Sequence, residues 1–205
     1  GYSGDGFVCT DVDECAAGFR LRAGITSEDA TGTLCVEDGY GDGCWHGQKV
    51  AMSNDGTHVA IAAKYGKDST AAQTGYVVIM ENTGSTWTRV GDPIYGFVNP
   101  ASAYCDPGDA PCTIAFGHSL AMSDNGLSIV IGAWNDNTHA VEGGYFVVYD
   151  FNGTSWVERG DLTPFLAAFA NVEEDWYGAN VAMSADGNII AVSAEGGDAG
   201  SNANS

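Results

Sequence analysis

Gly117-His-Ser-Leu-Ala-Met-Ser-Asp-Asn-Gly126, followed by Ile129-Val-Ile-Gly-Ala133, decides the fold, because the chain carries this passage three times. Gly47-Gln-Lys-Val-Ala-Met-Ser-Asn-Asp-Gly56 leads into Val59-Ala-Ile-Ala-Ala63. Gly178-Ala-Asn-Val-Ala-Met-Ser-Ala-Asp-Gly187 leads into Ile189-Ile-Ala-Val-Ser-Ala194. Repetition in register is the mark of an architecture assembled from like units. Each copy reads as two short strands. The first carries Ala-Met-Ser and the second is an apolar run ending in small residues. Between them an Asn-Asp-Gly or Asp-Asn-Gly turn predicts a tight hairpin whose residues tolerate positive φ.

Working outward, the first two copies continue in parallel. Gly75-Tyr-Val-Val-Ile-Met80 matches Gly144-Tyr-Phe-Val-Val-Tyr149, a third strand rich in Val, Ile and Tyr. Gly84-Ser-Thr-Trp-Thr-Arg-Val-Gly-Asp92 matches Gly153-Thr-Ser-Trp-Val-Glu-Arg-Gly-Asp161, a fourth strand marked by Trp87 or Trp156. The third copy stops after its second strand. Four antiparallel strands per repeat, with glycine and aromatic marks at fixed places, is the blade pattern of a propeller. The expected fold is therefore all-β: tandem four-stranded antiparallel propeller-type blades, about two and a half of them. They form an incomplete ring behind a short disulfide-rich amino-terminal segment. Residues 1–44 form that Cys- and Gly-rich segment, and 45–205 form the repeats (45–115, 116–175 and a partial 176–205).

The run Phe116-Gly117, then Gly132-Ala133, then Gly144-Tyr145 resembles the FG-GAP repeats of integrin-α-like β-propellers. The resemblance covers residues 45–195 and implies an extracellular, adhesive setting. It departs from the family in two ways. Calcium-binding members carry a D-x-D-x-D-G loop, whereas here only Asn54-Asp55-Gly56, Asp124-Asn125-Gly126 and Ala185-Asp186-Gly187 remain, which read as hairpin turns. And two and a half blades do not close a ring of typically four to eight.

At the other end, Gly1-Tyr-Ser-Gly-Asp-Gly-Phe-Val-Cys-Thr-Asp-Val-Asp-Glu-Cys15 looks like the junction between two EGF-like modules. That resemblance implies calcium as a cofactor, with Asp11 and Glu14 among its oxygen ligands. The competing reading is a plain disulfide-anchored linker, since Cys35 and Cys44 do not continue the EGF spacing.

Composition agrees with a secreted chain. Its 205 residues are 44% hydrophobic and carry a formal charge of −20, from 27 acidic and 7 basic residues. A field of that sign repels nucleic acid and anionic membrane surfaces, and no stretch approaches the length of a membrane span. The six cysteines, at 9, 15, 35, 44, 105 and 112, lack the paired C-x-x-C spacing of zinc sites. An even count in a loop-rich chain points to disulfides and an oxidising compartment. Fifteen connectivities are open. Cys105 and Cys112, on either side of a Pro-Gly turn, form the best local pair, and Cys35 with Cys44 the next. Asn152-Gly-Thr154 is an N-glycosylation sequon on a hairpin, its alternative an unmodified turn.

No catalytic constellation emerges. His46, His58, His118 and His139 occupy no equivalent repeat positions, His118-Ser119 lacks the context of a nucleophile elbow, and Glu173-Glu174-Asp175 reads as a solvated loop. Trp87 and Trp156 each read as packing their own blade, whereas Trp45, Trp134 and Trp176 are the better ligand candidates. No cofactor is required. The leading expectation is a non-enzymatic structural or adhesive protein, a protomer of an extracellular fibre or matrix. It assembles as a homopolymer through the open edge at Ile189, Ile190 and Val192, unless further sequence completes the blade. The alternative is a carbohydrate-binding or receptor-type module that takes glycans.

Overall fold

The computed structural model describes residues 46–66, 74–84, 86–97, 115–134, 143–160 and 175–196. The expectations placed on Asp11, Glu14, Cys35, Cys44, Cys105 and Cys112 lie outside the described residues. Those residues form an all-β structure of three antiparallel sheets, none of them closed. Among them there is no helix long and apolar enough to cross a membrane.

The first sheet contains β1 (His46–Met52), β2 (His58–Ala63), β3 (Tyr76–Asn82) and β4 (Trp87–Arg89), with β5 (Ile94–Tyr95) also paired to β3. The second contains β6 (Ser119–Met122), β7 (Ser128–Ala133), β8 (Tyr145–Phe151) and β9 (Trp156–Glu158) in the same order. The third contains β10 (Tyr177–Met183) and β11 (Ile190–Ala194). The register repeats with the sequence: Met52 faces Val59, Met122 faces Ile129, and Met183 faces Ile190. The short β5 was not foreseen. It resumes the line of β4 after Gly91-Asp-Pro93, where the missing proline N–H and a left-handed glycine break the ladder.

The hairpins are wider than expected, and in them only glycine takes positive φ. In the first, the Gly56 N–H donates to the Ser53 carbonyl (3.0 Å) and the Ser53 N–H to the His58 carbonyl (3.0 Å). The Ser53 hydroxyl accepts from the His58 N–H (2.9 Å) and donates to Asp55 Oδ1 (2.7 Å). Ser123 with Asn125, and Ser184 with Asp186, repeat the arrangement. The recurring serine of Ala-Met-Ser is therefore the turn's hydrogen-bond hub.

β2 and β7 do not alternate between polar and apolar residues because both their faces are covered: Val59–Ala63 and all of β7 are buried. One core lies between the first and second sheets. There Ala60, Ala62, Val77 and Ile79 meet Leu120, Ile129, Ile131, Tyr145 and Val147, with Phe116 fully buried among them. A second lies between the second and third sheets, where Val130, Phe146 and Val148 meet Val181, Met183, Ile190 and Val192. Both seams need a backbone approach that no side chain permits. A Cβ on Gly75 would sit 2.5 Å from the Phe116 carbonyl oxygen, and one on Gly144 would sit 2.2 Å from that of Tyr177. Both glycines also have left-handed φ, at 75° and 71°. The physical content of the Phe-Gly and Gly-Tyr marks is thus the docking of one repeat's entry strand over its predecessor's glycine.

Two expectations need correction. Trp87 packs on its own sheet, against the cluster of Val59, Ile61, Tyr76, Val78 and Met80. Trp156 does more. It lies against the core of the first seam, and its Nε1–H donates to the Val90 carbonyl of the first sheet (2.9 Å). Nor do the three apolar residues of the third sheet stand exposed together: Ile190 and Val192 pack toward the second sheet, and only Ile189 projects, 72% exposed.

Candidate functional site

The two seams are built by the same rule, so each sheet has a giving face and a receiving face. Leu120, Met122, Ile129 and Ile131 give to a small-residue surface of Ala51, Ala60 and Ala62. Val181, Met183, Ile190 and Val192 give to Ala121 and Val130. At the hairpin tips the Asn54 N–H donates to the Asp124 carbonyl (3.2 Å), and the Asp124 N–H to the Ala185 carbonyl (2.9 Å), at equivalent repeat positions. Next to these bonds Gly126 lies over His58 and Gly187 over Ser128. Ser119, buried and poorly placed for chemistry, spends its hydroxyl across the second seam on the Gly178 carbonyl (2.7 Å).

Carried one step further, the rule ends on an uncovered surface. Ala182 and Ala191 occupy the receiving positions of the third sheet and are exposed. Ile189 stands at the position of His58 and Ser128, and β11 pairs only with β10 among the described residues. In the first two sheets that position lies under the following turn glycine; in the third it is exposed.

A second cluster gathers where the first strands begin and the second strands end. His118 meets Trp134 edge-on, with ring centroids 5.7 Å apart, and Trp134 meets Trp176 edge-on, also at 5.7 Å. Lys64 Nζ lies 5.7 Å from the Trp134 ring centre and 5.2 Å from that of Tyr65. Burial lowers the His118 pKa, helped by the charges of Lys64 and Lys49 and opposed by Glu195, so the ring is neutral near neutral pH. Among the described residues its Nδ1 and the Trp134 Nε1, both buried, have no hydrogen-bond partner. Trp134 and Trp176 were singled out from sequence, and the structure unites them. His118, which the sequence placed in no catalytic constellation, belongs with them, and Lys64 and Tyr65 were missed. A signal for Lys64 existed: it follows Ala62-Ala63 as Trp134 follows Gly132-Ala133. The entry to this cluster is strained. Trp176 has φ of 55° and its repeat equivalent Ala115 has 56°, a left-handed backbone that costs a non-glycine residue about 1–2 kcal/mol.

The remaining candidates separate. Asn152 sits on the exposed turn between β8 and β9, where its Oδ1 accepts from the Thr154 and Ser155 N–H groups (both 3.0 Å). His46 lies far along the chain from His118, its Nδ1 within 3.3 Å of the Tyr76 hydroxyl. In the hairpins, Asp55 Oδ1 takes bonds from Ser53, the Thr57 N–H (2.9 Å) and the Thr57 hydroxyl (2.7 Å). Asn125 does the same work without charge. These side chains are committed to holding their own turns. Among the described residues no three His, Cys, Asp or Glu side chains converge as a metal site. No protein-family model matches the chain, and no curated protein matches it.

Proposed function

We propose that the chain is a secreted structural or adhesive protein without catalytic function, a protomer of an extracellular fibre or matrix. Its sheets are taken as propeller-type blades of FG-GAP character, two complete and a third half-formed. The observation that carries the reading is the repeated seam. The same giving and receiving faces join the first sheet to the second and the second to the third, and the receiving face of the third is bare. A head-to-tail contact between like faces builds filaments where successive rotations do not close and rings where they do. Among the described residues β11 is paired on one side alone, and that edge offers main-chain donors and acceptors to another strand. In this proposal disulfides at Cys105–Cys112 and Cys35–Cys44, an N-glycan at Asn152 and calcium at Asp11 and Glu14 stabilise the extracellular form. The experiment is sedimentation velocity over a rising concentration series, with electron microscopy of the same samples. Linear or helical polymers support the reading, and a single monomeric species at high concentration overturns it.

The aromatic cluster favours a second reading, a carbohydrate-binding module. Trp134 and Trp176 offer the apolar surface on which sugar rings stack, and His118 Nδ1 and Trp134 Nε1 beside them are polar atoms with no partner among the described residues. Glycan-array binding that is lost in Trp134→Ala would establish it. An array without a hit would remove it.

A further inference from the structure

We infer that Asn152-Gly153, on the turn between β8 and β9, is a site of spontaneous deamidation through a cyclic imide, and that the fold protects the chain's other Asn-Gly pair, Asn125-Gly126, from the same reaction. The inference rests on neither reading above. It places a second modification at Asn152, in competition with an N-glycan for the same side-chain nitrogen.

The chemistry asks for an amide carbon open to attack and a following backbone nitrogen free to attack it. Glycine, with no Cβ, gives that nitrogen its least hindered approach. The Gly153 nitrogen, once its proton passes to hydroxide, bonds to Asn152 Cγ. The Cγ–Nδ2 bond breaks, the departing nitrogen takes a proton from water, and ammonia leaves a five-membered imide behind. Water then adds to either imide carbonyl and one C–N bond opens. Opening at Cγ gives aspartate. Opening at the backbone carbonyl gives isoaspartate, whose main chain runs through Cγ. Nothing is oxidised or reduced: one water is consumed and one ammonia released.

The turn at Asn152 meets both needs. Residues 152–155 are all exposed. A Cβ built on Gly153 would meet nothing within 4 Å, and among the described residues the Gly153 N–H has no acceptor. The carbonyl under attack is polarised. Asn152 Oδ1 accepts from the Thr154 and Ser155 N–H groups, both at 3.0 Å, and the same two donors suit the oxyanion formed as the nitrogen adds. Asn152 Nδ2, the departing nitrogen, donates to the Ser155 hydroxyl (3.3 Å), which is placed to return a proton to it.

Asn125 differs in its nucleophile. Its Oδ1 accepts from the Leu127 N–H (3.0 Å) and the Ser123 hydroxyl (2.8 Å), so its carbon is polarised as well. But the Gly126 N–H donates to the Ser123 carbonyl (3.0 Å), and Gly126 is buried against His58. To react, that rigid peptide plane must give up its bond and turn. Gly56 and Gly187 are tied to Ser53 and Ser184 in the same way (3.0 and 2.9 Å), which shields Asp55 and Asp186 from the matching imide formed by loss of water. In the first repeat the counterpart of Asn152 is Thr83, which has no amide to lose. The consequence of reaction is local and structural. Isoaspartate adds a methylene to a turn closed by the Asn152 N–H on the Ser155 carbonyl (3.1 Å), directly ahead of Trp156.

The test is incubation of the full chain at mildly alkaline pH, followed by peptide mapping with mass spectrometry, in which each deamidation adds about one mass unit. Thr154→Ala deletes the sequon but keeps Asn152-Gly153 and the N–H of residue 154, and so supplies a chain without the glycan. Far-UV circular dichroism identical to the parent verifies its fold. The same variant in urea shows both Asn-Gly pairs without a fold and serves as the clock: there the two should react at similar rates. Folded, Asn152 should deamidate about tenfold or more faster than Asn125, the effect of one retained hydrogen bond on the attacking nitrogen. Isoaspartate should be among its products. Equal rates at the two sites in the folded chain would overturn the inference, as would an Asn152 that stays intact while the unfolded chain reacts. Where the parent chain carries the glycan, Asn152 should react more slowly than in Thr154→Ala, and an equal rate would overturn the competition between the two modifications.

Discussion

The two seams share a backbone and differ in what seals their outer ends. Between the first and second sheets the seal is apolar. Trp156 lies against Phe151, ring centroids 5.2 Å apart, and reaches the Val90 carbonyl. Between the second and third sheets the residue equivalent to Val90 is Arg159, and it builds a polar clamp. Its Nε donates to Asp150 Oδ2 (2.6 Å), its Nη2 to the Ser128 hydroxyl (2.9 Å) and to Asp150 Oδ1, and its Nη1 to the Gly187 carbonyl. The difference teaches that the docking of one sheet on the next is set by close backbone approach at fixed glycines. The side chains at the rim are interchangeable so long as the turn glycine is met by something. Hydrophobic sealing should make the first seam insensitive to salt and acid, and the clamp should make the second sensitive to both.

The largest effect should come from attacking what the seams share. Gly144→Val forces a β-branched residue into left-handed φ and drives its side chain into the Tyr177 backbone. The expected loss is about 4 kcal/mol or more, combining conformational strain with overpacking. Gly75→Val, meeting the Phe116 backbone in the same way, should cost a similar amount. Urea denaturation of each variant measures it. A loss under 1 kcal/mol at either position would mean that the two seams are not built by one rule.

That rule was only partly legible in the sequence. The repeated Ala-Met-Ser-x-x-Gly passage and the matching third and fourth strands were enough to place ten of the eleven strands by repeat, because hydrophobic runs and turn residues are local signals. The interruption that makes β5 separate was not, since it depends on one left-handed glycine before a proline. Which way Ile190 and Val192 point is a matter of register: a strand's two faces look alike in sequence until the neighbouring sheet is known. For the same reason Trp156 could not be assigned to the adjacent sheet. The aromatic cluster was half visible. Trp134 and Trp176 drew notice as ligand candidates, but His118 and Lys64 join them only because four strand ends meet in space.

A smaller effect should separate the seams. Arg159→Met removes the clamp, whose partners are 33% and 40% exposed. Solvent screening limits such a pair to about 1 kcal/mol or less at low salt, and 1 M sodium chloride should erase the difference from the parent chain. Asp150, held below its usual pKa first by the Arg159 hydrogen bond, adds an acid dependence to the same seam. With its folded pKa depressed, its contribution is present above the ordinary carboxylate pKa and fades as pH falls through the folded value. Trp156→Phe in the other seam should lose about 1 kcal/mol, the worth of one indole hydrogen bond, with no dependence on salt. A salt dependence equal in both variants would erase the distinction between the seams.

The smallest effect concerns the hairpins, where the repeats perform a natural substitution. The first and third turns use Asp55 and Asp186, and the second uses Asn125 in the same place. Hydrogen bonds from Ser53 and then from Thr57 hold the Asp55 pKa down to about 2 from its ordinary 3.8, and Ser184 and Asn188 do the same for Asp186. The sign follows from that depression. The charged-state contribution of each aspartate is complete above pH 3.8 and lost as pH falls toward 2. Asp55→Asn keeps an oxygen acceptor for Ser53 and Thr57 and discards only the charge. The variant should therefore be slightly less stable than the parent at pH 7, and the gap should close between pH 3.8 and 2. Asn125→Asp should open a gap of the opposite sign over the same range, muted by the neighbouring charge of Asp124. Thermal unfolding followed across that range distinguishes the outcomes. Parallel curves for the parent and Asp55→Asn would show that the carboxylate serves the turn by shape alone, and that the three hairpins are as interchangeable as the two seams.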